Sequence, residues 1–238
     1  HALIQKDVKF KELGLAIVDE QHRFGVLQRG DLTVKGLNPH VLAMTATPIP
    51  RTLAITYHGD MDLSIIDEMP KNRIPVVTKV VDEVRLKKVY DFMKVEVAAG
   101  RQCMVVYPLV EETKKSDLAA AVEMHKNLSE KIFPKLKVGL IHGRMKKDEK
   151  DGVMDAYARN EIHILISTTV IEVGIDIPNA TVMLIEHADR FGLTQLHQLR
   201  GRVGRGSEKS YCILVRRNFT ANSKKRLRIM ESTNDGFV

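Results

Sequence analysis

Two carboxylates, Asp19 and Glu20, stand side by side at the end of an apolar run in "LGLAIVDEQH". Adjacent acids at the tip of a buried strand suit a magnesium ion held through water, with the second acid polarising an attacking water. A solvated turn is the plainer alternative. A second apolar run, "HVLAMTATPIPRT", ends in Thr45, Ala46 and Thr47 before Pro48 breaks the pattern. Paired hydroxyls beside a carboxylate pair could sense a phosphate or a metal, although such residues at strand ends are also common turn chemistry. A third stretch, "ILISTTVIEVGIDIPNA", ends one strand in Thr168 and Thr169; Gly174 follows and Asp176 comes two residues later. Glycine permits an unusual backbone angle or a close ligand approach. Hydroxyls and backbone N–H groups there could hold a nucleic-acid phosphate, or the segment is a tight loop between strands.

The stretch "QLHQLRGRVGRG" packs three arginines and three glycines into the seven residues 200–206. Read as a helix at about 100° per residue, it puts Leu196, Leu199 and Val203 on one face and Gln195, Gln198, Arg202 and Arg205 on another. Arg200 is expected apart from both, and Thr194 is the expected N-cap. Gly201 and Gly204 each cost a helix about 1 kcal/mol relative to alanine, so they imply close packing or a helix end. Guanidinium forks suit bidentate phosphate recognition. A sticky arginine–glycine patch is the competing reading.

These residues need strands to carry them. Eight short apolar runs recur along the chain, beginning with "LGLAIVDE" and ending with "SYCILV". Runs without alternation read as strands buried on both faces. Helical patterns fall between several of them, at residues 84–99, 116–132, 145–159 and 194–205. The expectation is an α/β fold with a parallel sheet flanked by helices. Ligands then bind outside the carboxyl ends of the strands. The segment "EMPKNRIP" at residues 68–75, with two prolines and no periodicity, reads as a linker. Two strand patterns precede it and six follow, so a truncated first domain and a nearly complete second one, to about residue 216, are expected. A basic helical pattern, "SKKRLRIME", occupies the tail.

Composition narrows the classes. The chain has 238 residues and 44% hydrophobic residues, enough for a sizeable core. Its net charge of +7 is concentrated at one end: residues 186–238 hold eleven Lys/Arg and five Asp/Glu. That balance points to a polyanion partner. No apolar run reaches the roughly 18 residues of a membrane span, and no signal peptide is visible. Cys103 and Cys212 lie in separate apolar runs and read as core residues of a cytoplasmic protein. The chain begins with His1, and a piece of something longer is expected.

"DEQH", "TATPIPRT", "TTVIEVGIDIPNA" and "QLHQLRGRVGRG", in this order, resemble motifs II, III, V and VI of superfamily 2 helicases. "HALIQKDVKFKELGLAIVDEQHRFGVLQR", "YPLVEETKKSDLAAA" and "RIMESTNDGF" are similar to the RecG family in particular, so the likeness covers essentially the whole chain. The transcription-repair coupling factor shares part of it and ranks second. The resemblance implies two RecA-like lobes, the first represented by residues 1–72 and the second by 73–216, with residues 217–238 starting a translocation hairpin. It implies ATP and Mg²⁺ in the cleft and branched double-stranded DNA as partner. Carried over by position, Asp19 would coordinate Mg²⁺, Glu20 would activate water, and Thr45 and Thr47 would couple hydrolysis to lobe movement. Thr168 would touch a DNA phosphate, and Gly174 and Asp176 would lie at the nucleotide. Gln198, Arg202 and Arg205 would face the ATP phosphates, with Arg205 as arginine finger.

The sequence departs from the family by lacking G-x-x-x-x-G-K-[ST], the phosphate cradle. The residues in hand are therefore expected to be inactive by themselves, within a parent that is an ATP-dependent DNA helicase of recombination and repair. A nucleic-acid-binding module without hydrolysis and an unrelated metal-using α/β enzyme stay open as other readings.

Overall fold

The structure, a computed structural model of the chain, describes residues 3, 5, 7–19, 35, 36, 39–45, 62–66, 68, 70, 73–108, 114–168, 177–218 and 220–234, with the backbone alone for 114–120. It divides into two compact units, residues 1–64 and 65–238.

In the first unit, β1 (Leu15–Val18) pairs in parallel with β2 (His40–Ala43), Leu15 opposite His40 and Val18 opposite Ala43. Alternation decides which side is covered. Ala16 and Val18 are buried, whereas Leu15, Ile17, Leu42 and Met44 are exposed. Runs of apolar residues on both faces thus meet packing on one face only among the described residues.

The second unit holds a six-stranded sheet in the order β3-β8-β7-β4-β6-β5. Its strands are β3 (Val77–Asp82), β4 (Gln102–Val106), β5 (Val138–Ile141), β6 (Ile164–Ser167), β7 (Ala180–Ile185) and β8 (Tyr211–Arg216). Every pairing is parallel. The connections carry α1 (Leu86–Ala98), α2 (Lys114–Asn127), α3 (Lys147–Ala158) and α4 (Leu193–Arg200), and α5 (Ala221–Ser232) follows β8. All eight strand patterns read from the sequence form.

Two apolar layers sandwich this sheet. Leu86, Val89, Met93 and Val97 of α1 pack with Leu128 and Phe133 against Cys103, Val105, Ile164, Ile166, Val182 and Leu184. On the other side Met154 and Tyr157 of α3, Leu196 and Leu199 of α4, and Leu227 and Met230 of α5 pack against Met104, Val106, Leu165, Met183, Ile185 and Leu214. Strands covered on both faces explain the uninterrupted apolar runs. The basic tail helix is therefore half core: Leu227 and Met230 are buried, and Thr220 caps it by accepting from the Ser223 N–H at 3.2 Å.

Two expectations about α4 are corrected. Its N-cap is Gly192, whose N–H donates to Gln195 Oε1 at 3.0 Å, rather than Thr194. A glutamine three residues after the cap is the sequence signal for this back-reaching bond, the one half of a capping box that a glycine cap allows. The helix also ends at Arg200, five residues earlier than the pattern suggested. Gly201 is the C-cap and Gly204 takes φ +76°, which a continuing helix cannot accommodate. The expected stripe of Gln195, Gln198, Arg202 and Arg205 on one continuous helix face does not exist.

Candidate functional site

Within each unit the described carboxylate and threonine candidates lie where parallel α/β sheets place ligand-binding residues, beyond the carboxyl ends of the strands. Asp19 directly follows β1 and Thr45 comes two residues after β2, and the Met44 N–H donates to Val18 O at 2.7 Å, extending the pairing to that edge. These two candidates thus lie at the same end of the same small sheet, with Asp19 exposed. Glu20, Thr47, Gly174 and Asp176 lie outside the described residues.

Thr168 follows β6 and is 6% exposed; its N–H donates to Ile141 O at 3.2 Å, tying it to the end of β5. The next residue after β5 is His142, whose Nδ1 is buried with no hydrogen-bond partner among the described residues. Burial first, then Lys150 and Arg144, holds the His142 pKa below its ordinary value, although Glu149 opposes them. A neutral imidazole, a threonine hydroxyl and nearby cations at one sheet edge suit an anionic ligand.

The arginines of the glycine-rich stretch separate. Arg205 is exposed, and its Nε donates to Gly201 O at 3.1 Å across the turn beyond α4. Gln198 and Arg202 are half-buried. Arg200, expected to stand apart, is only 5% exposed and belongs to the apolar face. The spacing explains it: Leu196, Leu199, Arg200 and Val203 recur at i, i+3, i+4 and i+7, one side of a helix. Arg200 Nη1 donates to Thr233 O at 2.7 Å, Met230 O at 3.1 Å and Thr78 Oγ1 at 3.4 Å. Its Nη2 donates to Asn234 O at 3.0 Å and lies 2.9 Å from His197 Nδ1. Desolvation lowers its pKa. A cation set against the last carbonyls of α5 is a helix C-terminal cap.

The loop that enters α4 has its own polar support, which sequence reading missed. Glu186 is 1% exposed and accepts from Arg217 Nη2 at 3.3 Å, while Arg217 also pairs with Glu83. Burial raises the Glu186 pKa, with Arg217 pulling the other way. The backbone N–H of Arg217 donates to Asp189 Oδ1 at 2.9 Å. His187 sits in the left-handed region at φ +48°. None of these residues falls at a periodic position, so no pattern in the sequence marks them.

The second unit is matched by the model of the helicase conserved C-terminal domain over residues 84–207, just over half of the chain. The chain belongs to that family. It is 56% identical along its whole length to the ATP-dependent DNA helicase RecG of Synechocystis sp., covering 28% of that relative. It is 55% identical to the RecG of Streptococcus pneumoniae, covering 36%. A solved structure of RecG bound to a three-way DNA junction superposes with a TM-score of 0.79 at 49% identity, covering all of this chain and 30% of that one. A yeast Dbp5 structure bound to RNA and ADP BeF3 matches at a TM-score of 0.67 and 17% identity, a likeness of fold alone. The chain therefore spans about a third of the length of the curated relatives it matches, and its architecture, a parallel sheet flanked by helices, is the RecA-like helicase fold.

Proposed function

We propose that this chain is the motif-bearing middle of an ATP-dependent DNA translocase that remodels branched duplex DNA in recombination and repair. Residues 1–72 would belong to the first lobe, 73–216 form the second, and 217–238 begin a translocation hairpin. The observation that carries the proposal is the likeness of this whole chain to part of the RecG proteins, joined to arginines placed beyond the end of α4. The transcription-repair coupling factor ranks behind it, because the likeness includes "YPLVEE" and the tail.

The donor chemistry present fits ATP and Mg²⁺. An exposed strand-end carboxylate, Asp19, suits a cation that keeps most of its waters. Bound together, ATP and Mg²⁺ would supply the phosphoanhydride and neutralise its charge. In this reading Asp19 holds the metal, Glu20 orients the attacking water, and Thr45 and Thr47 transmit the state of the site. Gly174 and Asp176 approach the nucleotide, and Gln198, Arg202 and Arg205 bind its phosphates. Thr168 binds a DNA phosphate. Both cysteines are buried and unpaired by disulfide, which suits a reducing cytoplasm.

The exposed side of α5 extends the DNA surface. Lys224, Lys225 and Arg228 line an open depression of about 390 Å³ with Ala221, Ile229 and Ser232. Cations on one helix face favour a phosphate backbone and release counterions on binding.

The test is steady-state ATP hydrolysis by the full-length protein with and without forked DNA. Forked DNA is expected to stimulate turnover, and residues 1–238 alone are expected to hydrolyse nothing. Absence of stimulation in the full-length protein would overturn the proposal. DNA affinity should fall steeply with salt; a salt-insensitive affinity would count against the phosphate contacts.

A further inference from the structure

The turn that carries Arg205 is pinned on two sides. Its Gly204 is buried, and the Gly204 carbonyl accepts from Arg73 Nε at 3.2 Å. A Cβ on Gly204 would lie 2.6 Å from Val76 Cγ2, so backbone and side chain meet there without a spare methyl's width. On the far side, a Cβ on Gly206 would lie 2.7 Å from the Pro178 carbonyl oxygen. Arg205 thus projects from between two close approaches, one made by Pro178 and one by residues 73–76.

Residues 73–76 are no ordinary part of the second unit. They lead into β3 from the proline-marked segment read as a linker, and the Arg73 N–H donates to Pro70 O at 2.9 Å. The Val77 N–H then donates to Ser210 O at 2.9 Å, anchoring its end beside the start of β8. Residues 73–76 are thus held at one end by the Val77–Ser210 bond and at the other by the contact of Arg73 with the Gly204 carbonyl.

We propose that Arg73 is a positioning residue that braces the arginine turn, so that the segment leading into β3 sets the placement of Arg205. This rests on the reading of Arg205 as the residue that acts on ATP. Arg73 touches no substrate in this account; it acts through the Gly204 carbonyl. Its effect should therefore appear in turnover, since a displacement of about 1 Å in a reacting group can cost up to about 10²-fold.

The experiment compares four forms of the full-length protein: wild type, Arg73→Ala, Arg73→Lys and Arg205→Lys. Each is assayed for ATP hydrolysis with saturating forked DNA, for nucleotide KM, for DNA affinity and for thermal midpoint. Arg73→Ala is expected to lower kcat on the order of tenfold while KM, DNA affinity and the midpoint stay near wild type. Arg73→Lys keeps a donor within reach of the Gly204 carbonyl and should recover most of the rate. A loss of turnover in Arg205→Lys with normal kcat in Arg73→Ala would sink the brace and leave the reading of Arg205 intact. Normal turnover in Arg205→Lys would sink that reading and the brace with it. A fall in kcat that tracks a fall in thermal midpoint, unrelieved by Arg73→Lys, would show a purely structural contact and also overturn the brace.

Discussion

Arg200 closes α4 with its guanidinium buried against the carbonyls of Met230, Thr233 and Asn234. Arg205, five residues along the same glycine-rich stretch, stands exposed on a turn outside the helix. One arginine is spent on holding α5 to the sheet; the other is presented outward by backbone that cannot be helical. The difference teaches that residue type and proximity do not define an arginine motif. What separates the two is the helix end at Gly201: before it, side chains follow the 3.6-residue period and fall on the core; after it, glycine geometry decides their direction.

The comparison breaks most sharply in kinetics. Under the proposed function Arg205→Lys in the full-length protein should lower DNA-stimulated hydrolysis by about 10³ to 10⁵, the range of arginine fingers. ATP and DNA affinities should change by less than about tenfold, about 1.4 kcal/mol. A lysine presents one point charge where a planar fork is needed. Turnover close to wild type, or a rate loss matched by lost DNA affinity, would return Arg205 to a general basic patch.

Arg200 should fail differently. Removing it leaves several carbonyls at the end of α5 without their donor, and each hydrogen bond from a charged group is worth about 1.5–3 kcal/mol. Arg200→Ala should therefore cost roughly 3 kcal/mol or more of stability, and Arg200→Lys somewhat less. Denaturant unfolding of the second unit measures it. Amide exchange in α5 should rise first, because that helix loses its anchor. An unaltered denaturation midpoint would show that the buried network contributes nothing.

The same contrast shows what was legible in advance. The strands were readable because β4, β6, β7 and β8 are covered on both faces, which forces continuous apolar runs. The place of Thr168, directly after β6 at the carboxyl end of the sheet, was readable because it follows such a run. The extent of α4 was misread: Leu196, Leu199 and Val203 keep their spacing across the helix end, since Val203 stays buried in the turn. Arg200 was misplaced even though it shares that apolar spacing, because a charged residue is rarely fully buried. Three of its partners are backbone carbonyls 30, 33 and 34 residues away, and backbone atoms leave no signature in sequence. Arg73 was hidden for the same reason, its acceptor being the Gly204 carbonyl.

The finest test lies in the two glycines that bound this transition. Gly204 holds φ +76° with Val76 pressed against it. An alanine there meets both backbone strain and a clash, so Gly204→Ala should destabilise by about 1–3 kcal/mol. Val76→Ala added to it should recover only the part due to the clash, because the positive φ remains. Gly201 is another matter: its φ is −66° and ψ −6°, ordinary helical values. A Cβ there would lie 3.4 Å from His197 O, close to normal contact. Gly201→Ala should leave stability unchanged or raise it by about 0.4–1 kcal/mol through a stiffer unfolded chain. The two variants are compared by denaturant midpoint in the same background. If both lose the same stability, the turn is no more constrained than the helix end, and the separation between Arg200 and Arg205 does not arise from backbone geometry. If Gly201→Ala is silent and Gly204→Ala is not, the break falls between Arg200 and Arg205, where the glycine-rich stretch stops serving the core.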